Sequence, residues 1–268
     1  MPTSAELPDD FQTPSGEPTK DTSSSPSTYT VKEIFRTVQG EGYWGGTPAV
    51  FLRLALCNMW SGYEGDRERD ARRNTPGDEA WGCPMWCDTE FTKEGADELS
   101  AGEIADRILG KTEAAESLPL IVVTGGEPLL QMDAELCATL HDRFPDTSIT
   151  VETNGTQSLT DTFGTAAYHK AHTPDWVCCS PKIPDAQLQI DRCDEVKLVV
   201  PDFVPSDYPG LVERCRPRAT PHGLQKHLYV QPEDGDRFDL ACTMVKEIAT
   251  TRTDWRISTQ SHKTIQIA

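Results

Sequence analysis

No stretch of this 268-residue chain approaches the roughly 20 consecutive apolar residues that a membrane-spanning helix needs. Its N-terminal region also lacks an apolar leader core, so no secretory signal is visible and the expected compartment is the cytoplasm. Basic residues are scarce: Lys and Arg total 25 against 43 Asp and Glu, a formal net charge of −18. Such a balance argues against nucleic acid or a polybasic membrane surface as the main partner. Histidine is absent before His141, which removes it from any metal site in the first half of the chain. An odd count of 9 cysteines does not suit a complete disulfide framework, and the length does not need one. What fills the chain instead is polar: mean hydropathy is −0.51. Acidic residues run through most of the sequence without gathering in a tail, the pattern of a solvated surface suited to high salt.

The cysteines sort by context. Cys137, Cys193, Cys215 and Cys242 stand singly in helix-like or strand-edge stretches and read as core residues. Cys178 and Cys179 are adjacent in an apolar run, so they face opposite sides of a strand and read as core too. Cys57, Cys83 and Cys87 differ. Cys57 ends a strand-like run, 25 residues intervene, and Cys83-Pro-Met-Trp-Cys87 follows. One helical turn brings positions i and i+4 to the same face, and Pro84 suits a first helical position. Four protein ligands would mean structural zinc; three thiolates leave a cubane iron–sulfur cluster with one iron open to another ligand.

Residues 1–28 are rich in Ser, Thr, Pro, Asp and Glu and are expected to form a disordered tail, because they carry too little apolar surface to offset ordering entropy. The remainder alternates strand and helix patterns. Strands are expected at Tyr29–Val38, Ala49–Cys57, Leu118–Thr124, Ser148–Thr153, Asp175–Ser180, Asp194–Val200, His227–Gln231 and Trp255–Thr259. The first two are joined by a glycine-rich turn, Gly40–Gly46. Helices are expected at Asp133–Phe144, Ser206–Arg216 and Phe238–Thr251. This alternation predicts an α/β fold with mostly parallel strands, either an open sheet or a partial barrel. Polar clusters follow the strands at Thr124–Glu127, Glu152–Asn154, Ser180–Lys182, Gln231–Glu233 and Gln260–Lys263. Ligands in such folds sit at the carboxyl ends of strands. The last residues, Thr264–Ala268, alternate apolar and polar side chains, carry no charged side chain, and are expected to be ordered beside the pocket.

Within these clusters, Thr124-Gly125-Gly126-Glu127-Pro128 joins a strand end, two glycines, a carboxylate and a helix-starting proline. The glycines would let a ligand approach the backbone, and Glu127 with nearby carbonyls could receive an ammonium group. Together with the cysteine triplet this resembles a radical S-adenosyl-L-methionine (SAM) enzyme. The wider pattern resembles the 7-carboxy-7-deazaguanine synthase family from about Tyr29 onward. It comprises Glu33–Gly42 (Glu-Ile-Phe-Arg-Thr-Val-Gln-Gly-Glu-Gly), Phe51-Leu-Arg53, Cys57–Gly62, Cys87-Asp-Thr89, Glu152–Gly155, Ser180–Lys182, Glu195-Val-Lys197 and Gln260–Lys263. Two features depart from that pattern. The family usually has two residues between its last two cysteines where this chain has Pro84-Met85-Trp86, and the charged insertion Tyr63–Trp81 lengthens the gap before Cys83.

The resemblance implies a partial (β/α)6 radical SAM barrel as one catalytic domain over 29–268. It implies a 4Fe–4S cluster on Cys57, Cys83 and Cys87, and SAM surrounded by Gly125, Gly126, Glu127, Thr153, Ser180 and Lys182. Mg²⁺ would be held near Thr89. The implied reaction is radical abstraction of hydrogen from C6 of 6-carboxy-5,6,7,8-tetrahydropterin, ring contraction to 7-carboxy-7-deazaguanine and loss of ammonia, with SAM regenerated. Gln39, Glu41, Arg53 and His262 would surround the pterin, with the carboxylate of Ala268 as a further acceptor. A one-electron reductant and a homodimer are expected as partners. Two other readings remain at this stage: another radical SAM enzyme, such as a glycyl-radical activator, or an iron–sulfur or zinc structural module.

Overall fold

The computed structural model describes residues 27–72, 87, 89–112, 117–164, 170–221 and 223–266. The tail expected over 1–28 therefore lies outside the described residues except at its last two positions, as do Cys83, Ala268 and the part of the insertion from Arg73 to Trp81.

One curved sheet organises the chain. In chain order its strands are β1 (Thr28–Val38), β2 (Pro48–Leu54), β3 (Asp97–Ser100), β4 (Leu120–Gly125), β5 (Ser148–Thr153), β6 (Trp176–Cys179) and β7 (Glu195–Val200). A small hairpin, β8 (Arg218–Thr220) and β9 (Gly223–Gln225), stands apart, and β10 (His227–Pro232) and β11 (Trp255–Ile257) complete the sheet. The sheet order is β11-β10-β7-β6-β5-β4-β2-β1-β3. Every pair from β2 to β11 is parallel, while β1 is antiparallel to both β2 and β3. The architecture is the α/β partial barrel expected from the sequence.

Helices cover the convex face: α2 (Ala101–Gly110), α3 (Ala134–Arg143), α4 (Leu159–Phe163), α5 (Pro209–Arg214) and α6 (Phe238–Thr251). α1 (Arg67–Arg72) opens the charged insertion and α7 (Ser261–Ile265) follows β11. Side chains alternate across each strand, so Leu52, Leu54, Ile121, Val123, Val151, Val196 and Leu198 meet Ile104, Ile108, Leu136 and Leu140 in one buried core. Each such aliphatic side chain contributes roughly 1.5–3 kcal/mol when fully buried.

α2 did not stand out in the sequence, where Gly102 and Gly110 dilute its apolar spacing. Its start is nevertheless signalled: Ser100 accepts from the Glu103 amide, and Glu103 accepts from the Ser100 amide, a reciprocal cap. One expectation is corrected. Cys242 is half-buried and lines a side cavity of about 460 Å³ along α6, so it is not core. Of the C-terminal segment expected to be ordered beside the pocket, Thr264 and Ile265 end the helix Ser261–Ile265, with Ile265 61 % exposed, and Ile267 and Ala268 lie outside the described residues. Among the described residues, no helix is long and apolar enough to cross a membrane.

The strand registers set the concave face. Arg53 is level with Thr124, Glu152 with Cys178, and Cys178 with Glu195, while Lys197 is level with Tyr229. Polar groups therefore gather where a two-sided apolar strand would carry none.

Candidate active site

A cavity of about 740 Å³ opens at the carboxyl ends of β2, β4, β5, β6, β7 and β10, a volume suited to small ligands. Cys57, Cys87, Thr89, Gly125, Gly126, Thr153, Ser180, Lys182 and Glu41 all line it. Sequence positions spanning more than half the chain thus converge on one space.

At the mouth, Cys57 follows β2 by three residues. Leu56, at φ 75°, turns the chain. Its amide donates to the carbonyl of Phe91 at 2.7 Å, and its carbonyl accepts from the Glu127 amide at 2.9 Å. These two bonds staple the Cys57 loop to the segment after Thr89 and to the end of β4. The Met59 amide donates to Cys57 Sγ at 3.4 Å, a contact that favours a sulfur carrying negative charge. Among the described residues no set of three metal-ligating side chains is complete, since Cys83 lies outside them.

The glycine pair serves the protein's own backbone. A Cβ on Gly125 would stand 2.0 Å from the Leu54 carbonyl oxygen, and one on Gly126 would stand 2.1 Å from the Leu56 oxygen and 2.7 Å from Cys57 Cβ. The glycines let β4 press onto the turn that carries Cys57, in addition to lining the cavity. Glu127 is fully buried behind the wall. It accepts from the Thr153 hydroxyl at 2.8 Å, the Asn154 amide at 2.7 Å and the Leu129 amide at 3.1 Å. Burial pushes its carboxyl up to about 7 against the pull of those donors and of Lys182. In this geometry Glu127 fixes Thr153 and Asn154, which do reach the cavity. Across from them Lys182 Nζ donates to Ser180 Oγ at 2.9 Å and to its carbonyl at 3.2 Å.

The floor is built by the loop between β1 and β2. It does not turn back in solvent as a simple hairpin would. Tyr43 stacks on Trp176 with ring centroids 4.5 Å apart, and Trp44 packs against Ala49, Leu120 and Val122 on the concave face. Glu41 is thereby carried to Lys197, which donates to its Oε2. Gln260 donates to the other oxygen at 3.0 Å. Lys197 also lies 3.7 Å from Glu152, whose oxygens accept from Gln39 at 3.0 Å and Thr124 at 3.2 Å. Burial alone would raise the Glu41 carboxyl, yet Lys197 and Gln260 hold it at about 2. Burial works against the Lys197 ammonium too, but Glu41 and Glu152 keep it well above the ordinary range. The floor is thus two carboxylates bridged by one ammonium.

Other expected residues sit further off. Gln39 lies beside the floor, where its carbonyl oxygen accepts from the Glu41 amide at 3.1 Å. Arg53 occupies the concave face near the mouth, donates to Glu33 at 2.6 Å and lies 5.7 Å above the Phe35 ring. The His262 ring lies against Gly40, where an added Cβ would come within 2.0 Å of Nδ1. Glu152, Asn154, Lys197, Gln231 and Gln260 line the cavity; the sequence placed all but Lys197 in polar clusters at strand ends but gave none of the five an individual role. The available signal was polar residues at alternate positions inside runs that are otherwise buried and β-branched.

Searched against protein-family models, the chain matches none. Curated proteins do resemble it. A 7-carboxy-7-deazaguanine synthase of Burkholderia multivorans is 34 % identical over 253 residues, covering 90 % of this chain and 99 % of that protein. One from Bradyrhizobium diazoefficiens is 36 % identical over 245 residues, covering 89 % and 99 %. The enzyme of that name from Escherichia coli is 28 % identical over 269 residues. Among solved structures, the crystal structure of QueE from Escherichia coli superposes with a TM-score of 0.52 at 21 % identity, over 88 % of this chain and 95 % of that one. That likeness concerns the fold.

Proposed function

Because the chain belongs to the 7-carboxy-7-deazaguanine synthase family, and is a radical SAM enzyme of it, we propose that it converts 6-carboxy-5,6,7,8-tetrahydropterin to 7-carboxy-7-deazaguanine with loss of ammonia. The observation that carries this reading is one cavity with thiols at its mouth and an ionised acceptor floor at its base. The product would enter deazapurine biosynthesis of the queuosine or archaeosine type.

In this reading Cys57, Cys83 and Cys87 hold a 4Fe–4S cluster. The half-buried Cys57 sulfur, with a backbone amide aimed at it, fits a thiolate ligand. When bound, the cluster and SAM supply the radical chemistry that starts ring contraction. The chain's own residues position and shield. Gly125 and Gly126 offer backbone to SAM, Thr153 and Ser180 offer hydroxyls, and Lys182 a positive charge. Glu127 acts through the Thr153 hydroxyl and the Asn154 amide and not by direct contact. Thr89, which lines the cavity, offers a hydroxyl that would meet Mg²⁺.

Deeper in, Glu41 and Gln39 accept from and donate to the edge of the pterin, which carries both N–H donors and a carbonyl. Arg53 takes the substrate carboxylate, exchanging part of its pairing with Glu33. His262, packed against Gly40 between the lining residues Gln260 and Lys263, would approach the pterin from that side, with the Ala268 carboxylate as a further acceptor. The floor carboxylates are acceptors only, so a ring without N–H donors would leave them unpaired. The same reading has a one-electron reductant, a homodimer and the cytoplasm as its setting.

The cluster is tested by anaerobic reconstitution followed by iron analysis and visible absorbance. Cys57→Ala, Cys83→Ala and Cys87→Ala each lose the cluster, while Cys137→Ala, a core thiol under α3, keeps it. Full iron content in Cys83→Ala would show that the ligand set is wrong.

A further inference from the structure

Two acidic or basic side chains on β7 point onto the concave face two residues apart, and both are spent on the same loop. Glu195 is 3 % exposed. Its carboxylate accepts from the Tyr43 amide, at 3.3 Å to one oxygen and 3.4 Å to the other, and from Trp176 Nε1 at 2.9 Å. Lys197 holds the side chain of Glu41 in the same loop. The residue between these two contacts is Gly42. Its φ is 64°, and a Cβ there would stand 1.9 Å from Glu195 Oε1. Gly42 and Glu195 are therefore fitted to each other: the carboxylate occupies the space that any other side chain would take. Gly42 itself donates to Ser258 Oγ at 2.9 Å, and Ser258 donates on to Gln231 at 2.7 Å. Ser261 donates from its backbone and its hydroxyl to the Gly40 carbonyl, at 3.1 and 2.9 Å.

We propose that Glu195 is a positioning residue, a latch that seats the loop 40–46 so that Glu41 arrives on Lys197 in the orientation the substrate meets. Glu195 touches no substrate in this account. It acts through the backbone of Tyr43, while Lys197 fixes the side chain that the latched backbone delivers. Among the described residues, β3 and β11 are the two edges of the sheet and no strand hydrogen bonds join them. The loop's own turn is closed by backbone bonds from the Gln39 amide to the Thr47 carbonyl and from the Gly46 amide to the Gln39 carbonyl, both 2.8 Å, while its seat on β7 and on Ser258 is polar and can loosen locally with the barrel still folded. The loop's effect on substrate rests on the function proposed above; the latch itself does not.

The test, run near pH 8 because burial pushes the Glu195 carboxyl up to about 7, compares the parent with Glu195→Gln, which keeps the shape but loses the charge that strengthens both hydrogen bonds. Hydrogen–deuterium exchange of the peptide covering 40–46 is read beside steady-state kinetics with the tetrahydropterin. Exchange of that peptide should quicken about tenfold, with the β4 and β5 peptides unchanged. KM for the pterin should rise about tenfold while kcat falls by less than about threefold. If Glu195→Gln fails to fold, Ser258→Ala reads the same peptide from the opposite side and should quicken it too. A second check uses Gly42→Ala, which should raise KM strongly in the parent and much less in a Glu195→Ala background, where the collision is gone and only the left-handed backbone strain remains. Unchanged exchange over 40–46, or an unchanged KM in Glu195→Gln, overturns the proposal. Failure of the parent to turn over the pterin would count against the proposed function, and the exchange comparison would still decide the latch.

Discussion

Glu127 accepts hydrogen bonds from three donors and has no contact with solvent, so its charge is both supported and penalised by its surroundings. The penalty is larger, since its carboxyl rises to about 7 from an ordinary 4.5. A carboxyl raised on folding binds its proton more tightly in the folded chain than in the unfolded one. Its contribution to stability is therefore complete below about 4.5 and is lost as pH climbs towards about 7. Glu41 has the opposite sign: held at about 2, it contributes above its unfolded value and loses that contribution as pH falls. Glu127→Gln should be less stable at low pH, because an amide nitrogen now faces an amide donor, yet its stability should fall less between pH 4.5 and 7 than the parent's. Urea midpoints across that interval measure this, and parallel pH profiles for the two proteins would contradict it. At this scale Cys57 and Cys87 were legible as site residues from their spacing and context, and both line the cavity. Glu152 stood out only within a polar cluster at a strand end and Lys197 only within the family pattern, neither with a role of its own. A charged side chain inside an apolar strand only acquires meaning once the register shows which other strand faces it.

Between elements, the decisive contact is the end of β4 against the turn after β2. The pair Gly125-Gly126 looked like a place for a ligand, and it is first a place for the Leu54 and Leu56 carbonyls. Gly126→Ala would drive a methyl into the Leu56 oxygen and Cys57 Cβ, so the Cys57 turn must shift. Overpacking of this kind costs about 1–3 kcal/mol. The expected result is a lower melting temperature together with incomplete cluster assembly on reconstitution. A variant with parental stability and full iron content would show that the close approach does not position Cys57. The same scale shows why Gly40–Gly46 was read as a turn. Glycine spacing predicts that the chain reverses between two strands, which it does. It does not predict that the loop enters the barrel, because that depends on Trp176, Glu195 and Ser258, all more than a hundred residues away in sequence. The helix over Ala101–Gly110 escaped for a local reason: two glycines weakened the apolar rhythm although the reciprocal cap at Ser100 and Glu103 was present.

Over the whole molecule, alternation of apolar strands and amphipathic helices was enough to predict a mostly parallel sheet, and its strand order runs nearly in sequence. The strand ends moved by up to three residues from their expected places, the largest shift being β2, which stops at Leu54 and not at Cys57, as hydrogen bonding and not composition decides them. The net charge of −18 leaves the concave face unusual: there the acidic groups Glu41 and Glu152 are compensated by a buried Lys197 rather than left to solvent. That compensation is the centre of the account, for it makes a floor of ionised acceptors beneath a mouth of thiols. The most direct measurement is anaerobic incubation of the cluster-loaded enzyme with SAM, Mg²⁺, a reductant and 6-carboxytetrahydropterin, with products read by mass spectrometry, for the parent and for Glu41→Gln. The account predicts 7-carboxy-7-deazaguanine and released ammonia from the parent. For Glu41→Gln it predicts a KM for the pterin raised by about tenfold or more. A parent with a full cluster that cleaves SAM yet forms no deazaguanine, or a Glu41→Gln variant with the parental KM, would contradict it.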